Sequence, residues 1–179
     1  YRQRIMSKFW SSVVNTLKPY TPGEQPKVPG LIKLNTNEHC LPPSNEAMGV
    51  LGDVSAESLR RYPDPESTAL RRAIANAEGL AEGQVFIGNG SDEVLAHIFQ
   101  GLLSSNDSFV APDITYSFYP VWAALYGLEL KSEALLADFS IDVNRLLQHP
   151  DSILLANPNA PTGMALELAE IKRLVDSNP

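Results

Sequence analysis

One cysteine, Cys40, stands in 179 residues, so no internal disulfide can brace the chain and any folded state has to rest on packing. Apolar runs long enough to span a bilayer are missing, and no secretory signal is visible, which predicts a soluble cytoplasmic protein without a membrane segment. Basic side chains are scarce in the second half: residues 1–90 hold 10 basic and 9 acidic groups, residues 91–179 only 4 and 12. So acidic a half repels a phosphate backbone, and nucleic acid is not an expected partner. The third glycine of a dinucleotide fingerprint is absent, as is the Gly-Lys-Ser/Thr of a Walker loop. Neither an internal repeat nor a low-complexity tract is present.

A hydrophobic content of 44% is enough to bury a real core, and the length suits one domain or most of one. Tyr1 to Ile5 precede Met6 and are set aside from fold reasoning. Phe9, Trp10, Val13, Val14 and Leu17 follow helical spacing and predict a short amphipathic helix. Pro19, Pro22, Pro26 and Pro29 then predict an extended arm over residues 18–30. Leu31–Leu34 reads as a short strand, Ser44 as the cap of a helix reaching Leu51, and Glu66–Ala77 as a helix behind the Pro63-Asp64-Pro65 break.

From Gln84 onward, strands and helices alternate. Strands are expected at Val85–Ile87, Ser108–Val110, Leu128–Ser132 and Ile153–Leu155; helices at Asp92–Leu103, Tyr116–Tyr126 with an interruption at its start by Pro120, Val143–Leu147 and Leu166–Val175. Such βα units predict an α/β fold: a mainly parallel sheet with helices on both faces, preceded by the N-terminal helix and extended arm. The division expected is residues 1–35 for helix and arm, and 36–179 for the sheet domain. In sheets of this kind ligands sit beyond the carboxyl ends of the strands.

Three motifs fall at those ends. Gly88-Asn89-Gly90-Ser91-Asp92-Glu93 follows one expected strand and opens a helix, so backbone N–H groups and the helix dipole make an anion site there, with the Ser91 hydroxyl as a further donor. Read alone, such a turn is more often a tight connection than a phosphate cradle. Thr115-Tyr116 follows the next strand, where the Tyr116 ring either packs or stacks on a flat heteroaromatic ring. Asn157-Pro158-Asn159-Ala160-Pro161-Thr162-Gly163 follows Ile153–Leu155, and its amides either donate to a ligand oxygen or shape a loop. Arg60, Arg61, Arg71 and Arg72 form the one dense basic cluster, read either as a solvated helix face or as an anion patch.

Together with Leu17-Lys18-Pro19-Tyr20, Leu34-Asn35-Thr36-Asn37-Glu38 and Arg61-Tyr62-Pro63-Asp64-Pro65, these motifs run in order from about residue 17 to 163. In that set the chain resembles the N-terminal half of a fold-type I aminotransferase, specifically of the histidinol-phosphate aminotransferase family. The resemblance implies pyridoxal 5'-phosphate as cofactor, a small-molecule amino donor, a 2-oxo acid acceptor and a place in histidine biosynthesis. It implies that Ser91 and Asp92 hold the cofactor phosphate and that Tyr116 stacks on the ring. Tyr62 is similar to a tyrosine that reaches the cofactor phosphate of the neighbouring subunit, which implies a homodimer. Tyr20 and Asn35 resemble residues near the substrate.

One position departs from the family pattern. The asparagine that contacts the cofactor's phenolic oxygen falls immediately before the proline in the commoner Asn-Pro-Thr-Gly form, where this chain has Ala160, so Asn159 is the expected substitute. The resemblance also places the Schiff-base lysine, the acid beside the pyridine nitrogen and the substrate-carboxylate arginine beyond residue 179, so no catalytic residue is assigned and the chain alone is expected to be inactive. Lys131 and Lys172 read as solvated. The rival readings are a related lyase such as a threonine-phosphate decarboxylase, which would share this front half, a noncatalytic fragment, and a stand-alone flavodoxin-like domain.

Overall fold

The computed structural model describes residues 8–17, 24, 26–35, 38–104 and 107–178, which fall into two compact units, residues 1–20 with 90–179, and residues 21–89. The expected arm over residues 18–30 lies largely outside the described residues, as does Tyr20.

The larger unit is organised by a strand that is buried on both faces. In β1 (Ser108–Pro112) side chains alternate sides, so Phe109 and Ala111 face one way and Val110 the other, all at 1% exposure or less. β2 (Glu129–Glu133) pairs parallel with β1, Phe109 opposite Leu130, and β3 (Ser152–Ile153) pairs parallel on the other side, Val110 opposite Ile153, giving the order β2-β1-β3. A bond from Leu154 N–H to Val110 O at 2.9 Å carries the ladder one residue past β3.

Helices cover both faces of this sheet, as the alternating pattern predicts. On the Phe109 side, α5 (Ser91–Gly101) and α6 (Tyr119–Tyr126) bring Phe99, Tyr119 and Ala123 against Phe109 and Ala111. The short α1 (Ser12–Thr16) packs on α6. On the Val110 side, α7 (Val143–Leu146) and α8 (Leu168–Ser177) bring Val143, Leu146 and Leu174. Asp142 starts α7 by accepting from the N–H groups of Asn144 at 3.0 Å and Arg145 at 3.3 Å.

The helix expected from Tyr116 starts at Tyr119 instead. Pro120 has no N–H to give a preceding turn, and its ring would clash with the carbonyl of Tyr116 if the helix reached back that far, so the proline sits in the first turn and Ser117–Phe118 form a separate turn. Gly127 ends α6 in the left-handed region, φ 70°, letting Leu128 N–H reach Ala123 O at 2.9 Å and feed β2.

The smaller unit is helical. It holds α2 (Asn45–Gly52), α3 (Ala56–Leu59), α4 (Thr68–Glu78) and a single 3-10 turn over Glu82–Gln84. Two expected strands do not form there. Leu31–Leu34 lies outside the sheet with Ile32 at 81% and Leu34 at 85% exposure, and Val85–Ile87 is extended but belongs to no ladder, because the sheet of the described residues contains only β1, β2 and β3. Apolar runs that short are ambiguous until a neighbouring strand fixes them. The Ser44 cap is present: its Oγ accepts from Ala47 N–H at 3.2 Å. Ser44→Ala should therefore cost about 0.5–2 kcal/mol of helix stability, read as faster amide exchange across α2 with α8 unchanged.

Lys131 corrects an expectation. Its ammonium is not simply solvated but lies 2.9 Å from both oxygens of Asp151, whose side chain is 8% exposed and also accepts from the Ser108 hydroxyl. The Ser108 bond first, and the Lys131 partner next, hold the Asp151 carboxyl below its ordinary value of 3.8. A carboxyl lowered on folding contributes stability that is present above the ordinary value and fades as pH falls through the lowered one. The stability difference between the protein and Asp151→Asn should be constant above about pH 5 and shrink as the pH falls below the ordinary carboxyl value, measured by urea unfolding at each pH.

Candidate functional site

The carboxyl ends of β1 and β3 lead into the two loops that carry Thr115-Tyr116 and Asn157–Gly163, and α5 begins in the same unit at Ser91. Gly90 precedes α5 with φ 86° and ψ 169°, a region open to glycine and costly for other residues, and as cap it brings no side-chain acceptor. The first-turn amides of a helix lack carbonyl partners within it, and the dipole is positive there, so an anion suits this end. Ser91 and Asp92 are both exposed.

Tyr116 is brought to that helix start. Its hydroxyl donates to Asp92 Oδ1 at 2.7 Å, and its ring stands edge-on to Tyr119, centroids 5.5 Å apart at 80°. Tyr119 is buried, and burial raises its phenol above the ordinary value. Tyr116 is itself half-buried, with the Phe118 ring a further neighbour at 6.4 Å between centroids.

Asn159 is the one buried polar residue among those described, at 1% exposure. Its Oδ1 accepts from Thr115 Oγ1 at 2.7 Å, and its Nδ2 donates to Ile114 O at 2.8 Å and Thr162 Oγ1 at 3.2 Å. Both amide hydrogens are engaged within the protein, so in this conformation none points to a ligand oxygen. Asn157 closes the base of the same loop, its Oδ1 accepting from Leu166 N–H at 2.8 Å. The Asn157-Pro158 and Ala160-Pro161 bonds are cis.

The remaining candidates lie in the smaller unit. Tyr62 is fully exposed, and Asn35 is exposed with its Nδ2 donating to Glu24 O at 2.8 Å. The arginine cluster is paired throughout: Arg60 and Arg61 with Glu57, Arg71 with Glu66, Arg72 with Glu82. Self-paired charges of this kind favour the solvated face over an anion patch. Sequence reasoning missed Thr115 as a partner of Asn159, because a pairing 44 residues apart leaves no local pattern; Thr162, three residues on in the same motif, could have been read as a loop-closing partner.

Among the described residues no cluster of three or more His, Cys, Asp or Glu is arranged to hold a metal, and no helix is long and apolar enough to cross a membrane.

A parallel three-stranded sheet with helices on both faces and two loops at its carboxyl edge define an α/β domain, and residues 29–179 match the family model for aminotransferase class I and II. The chain belongs to that family. It is 52% identical over 178 residues to histidinol-phosphate aminotransferase 2 of Burkholderia mallei, covering 97% of this chain and 50% of that protein. With histidinol-phosphate aminotransferase of Acinetobacter baumannii strain SDF it shares 49% over 175 residues, 96% of this chain and 48% of that one. The chain thus spans about half the length of the curated relatives it matches.

Solved structures agree in fold. Histidinol-phosphate aminotransferase of Sinorhizobium meliloti, in complex with pyridoxal-5'-phosphate, superposes with a TM-score of 0.69 at 22% identity over 76% of this chain and 38% of that one. A tetra mutant of Thermus thermophilus aspartate aminotransferase reaches 0.78 at 18% identity over 96% and 48%.

Proposed function

We propose that this chain supplies the phosphate cup and the ring-stacking wall of a pyridoxal 5'-phosphate-dependent aminotransferase acting on histidinol phosphate and a 2-oxo acid. The observation that carries the reading is the bond between Tyr116 and Asp92, which sets an aromatic face beside a helix start that favours an anion. A flat ring bearing a phosphate needs that combination. The relatives' names supply the substrate class, and on them the aminotransferase is preferred to the lyase.

Each residue has a part that its surroundings support. The Ser91 hydroxyl and the Ser91 and Asp92 amides hold phosphate oxygens. Tyr116 presents its open face to the ring, with Tyr119 behind it. Asn159 belongs to the wall of the same site. Tyr62, exposed on its own chain, serves a neighbouring subunit in a homodimer, and Tyr20 and Asn35 are the residues the family resemblance assigns to the substrate. In this reading residues 1–35 are the helix and arm and 36–179 the partial cofactor-binding domain of a cytoplasmic enzyme.

Pyridoxal phosphate, when bound, supplies the electron sink that lets an amino group pass between carbon skeletons. What this chain's residues do is bind and orient. Lys131 is committed to Asp151 beside Ser108, the first residue of β1, at the sheet edge opposite the strand-end loops, and Lys172 to Asp176 one helical turn on. Neither faces the site, so neither serves as its Schiff-base group.

Binding of pyridoxal phosphate, followed by its absorbance, tests the reading. The chain should saturate, inorganic phosphate should compete, and pyridoxal without the phosphate should bind far more weakly. Ser91→Ala should weaken binding by about tenfold and Tyr116→Leu by roughly 2–10-fold, the worth of one hydrogen bond and one aromatic contact. Binding indifferent to both substitutions and to phosphate would overturn the site; competition by phosphate with pyridoxal inert at every concentration would favour the flavodoxin-like alternative.

A further inference from the structure

Asn159 is held in its own loop by its backbone and in the neighbouring loop by its side chain. Its N–H donates to Met164 O at 2.8 Å and its carbonyl accepts from Gly163 N–H at 2.7 Å, which closes the turn around Ala160 and Pro161. Its amide then crosses to Ile114 and Thr115. The Ile114 carbonyl can only accept, so the group facing it has to be the NH2, and that fixes the opposite face as the oxygen meeting the Thr115 hydroxyl. With Thr162 Oγ1 on the second hydrogen, all three of these contacts converge on a side chain that is 1% exposed.

The residues gripped are the two immediately before Tyr116. The ring of Tyr116 is therefore fixed at both ends: at its backbone through Thr115 and Ile114, and at its hydroxyl through Asp92. Losing either grip frees a torsion of the ring. We propose that Asn159 is a positioning residue, fastening the loop after β3 to Ile114 and Thr115 so that the Tyr116 ring is held in its stacking pose, rather than a residue that itself contacts the cofactor. The proposal deepens the functional reading above and takes from it only the role of Tyr116.

A buried asparagine with every donor engaged differs from a ligand-contacting one in a measurable way: it acts before any ligand is present. The test uses the whole chain carrying ring-labelled tyrosine, with the Tyr116 resonance assigned by its loss in Tyr116→Phe, recorded without ligand. Thr115→Val removes one hydroxyl at constant shape, and Thr115→Ser keeps it. Asn159→Ala removes the amide, but its larger disturbance makes Thr115→Val the deciding variant.

In the protein and in Thr115→Ser the Tyr116 signal should be single and sharp. In Thr115→Val it should shift or broaden, while the Tyr126 signal on α6 stays in place and reports an intact fold. Affinity for pyridoxal phosphate should fall about tenfold in Thr115→Val and return in Thr115→Ser. A Tyr116 signal unchanged in Thr115→Val and in Asn159→Ala would overturn the proposal, and so would Asn159→Ala losing affinity with the ligand-free signal unmoved, since that marks direct contact. Should the unaltered chain fail to bind pyridoxal phosphate, the functional reading falls, and the ligand-free Tyr116 signal still decides for or against the positioning role.

Discussion

Phe109→Ala will lower the free energy of unfolding by about 3–5 kcal/mol, the usual cost of removing a buried aromatic side chain. Phe109 is 1% exposed at the centre of the sheet, edge-on to Phe99 with centroids 5.3 Å apart at 64°, and Phe99 in turn lies 6.3 Å from Trp122. Phe109 shares the cluster with Phe99, Ala111, Tyr119 and Ala123, and among the described residues β1 is the strand paired on both sides. Whole domains are stable by only about 5–15 kcal/mol, so a loss on this scale would leave the larger unit marginal. Urea unfolding followed by Trp122 fluorescence measures it. The site would be lost with the fold, since Thr115 and Tyr116 are carried on the end of β1. A cost below about 1 kcal/mol would mean that the aromatic layer is not the core described here.

The second large effect is expected at Gly90. At φ 86° and ψ 169° an alanine pays about 1–3 kcal/mol for the backbone alone, and a Cβ there would meet nothing within 4 Å, so steric contact adds nothing to the cost. The chain can avoid that cost only by turning the start of α5, which moves the Ser91 and Asp92 amides and pulls Asp92 from Tyr116. Affinity for pyridoxal phosphate should therefore fall by roughly 10–100-fold while the rest of α5 stays helical. Gly101, at the other end of the same helix and with an ordinary φ and open space for a Cβ, is the control: Gly101→Ala should leave affinity unchanged and stabilise by about 0.4–1 kcal/mol. Equal behaviour of the two variants, by titration and by thermal unfolding, would remove the argument for a shaped helix start.

Much of this architecture was legible because its signals are local. Ser108–Val110, Leu128–Ser132 and Ile153–Leu155 mark strands that alternate with stretches of helical spacing, and the ordered motifs mark the strand-end loops. Leu31–Leu34 and Val85–Ile87 carry the same apolar signal as β1, yet a strand exists only where another lies beside it, which the run itself does not encode. Pro120 was legible as an interruption at the start of α6, and its ring, which bars a helix from Tyr116, puts the first turn at Tyr119. Lys131 was misread because its partner Asp151 stands 20 residues on, brought near by the parallel pairing of β1 with β2 and β3. For the same reason the motif around Asn159 was legible as a site loop, whereas the bonds that take up its amide were not.

The central claim is that this chain holds the cofactor's phosphate and ring but none of its own lysines at the reacting end. Borohydride reduction of the chain with stoichiometric pyridoxal phosphate, followed by intact mass and peptide mapping, tests it most directly. The account predicts saturable, phosphate-competed binding and a mass that stays at that of the 179-residue chain, with no defined adduct. A single stoichiometric adduct on Lys131 or Lys172 would contradict it, because the chain would then carry a Schiff-base site of its own and work by a different design.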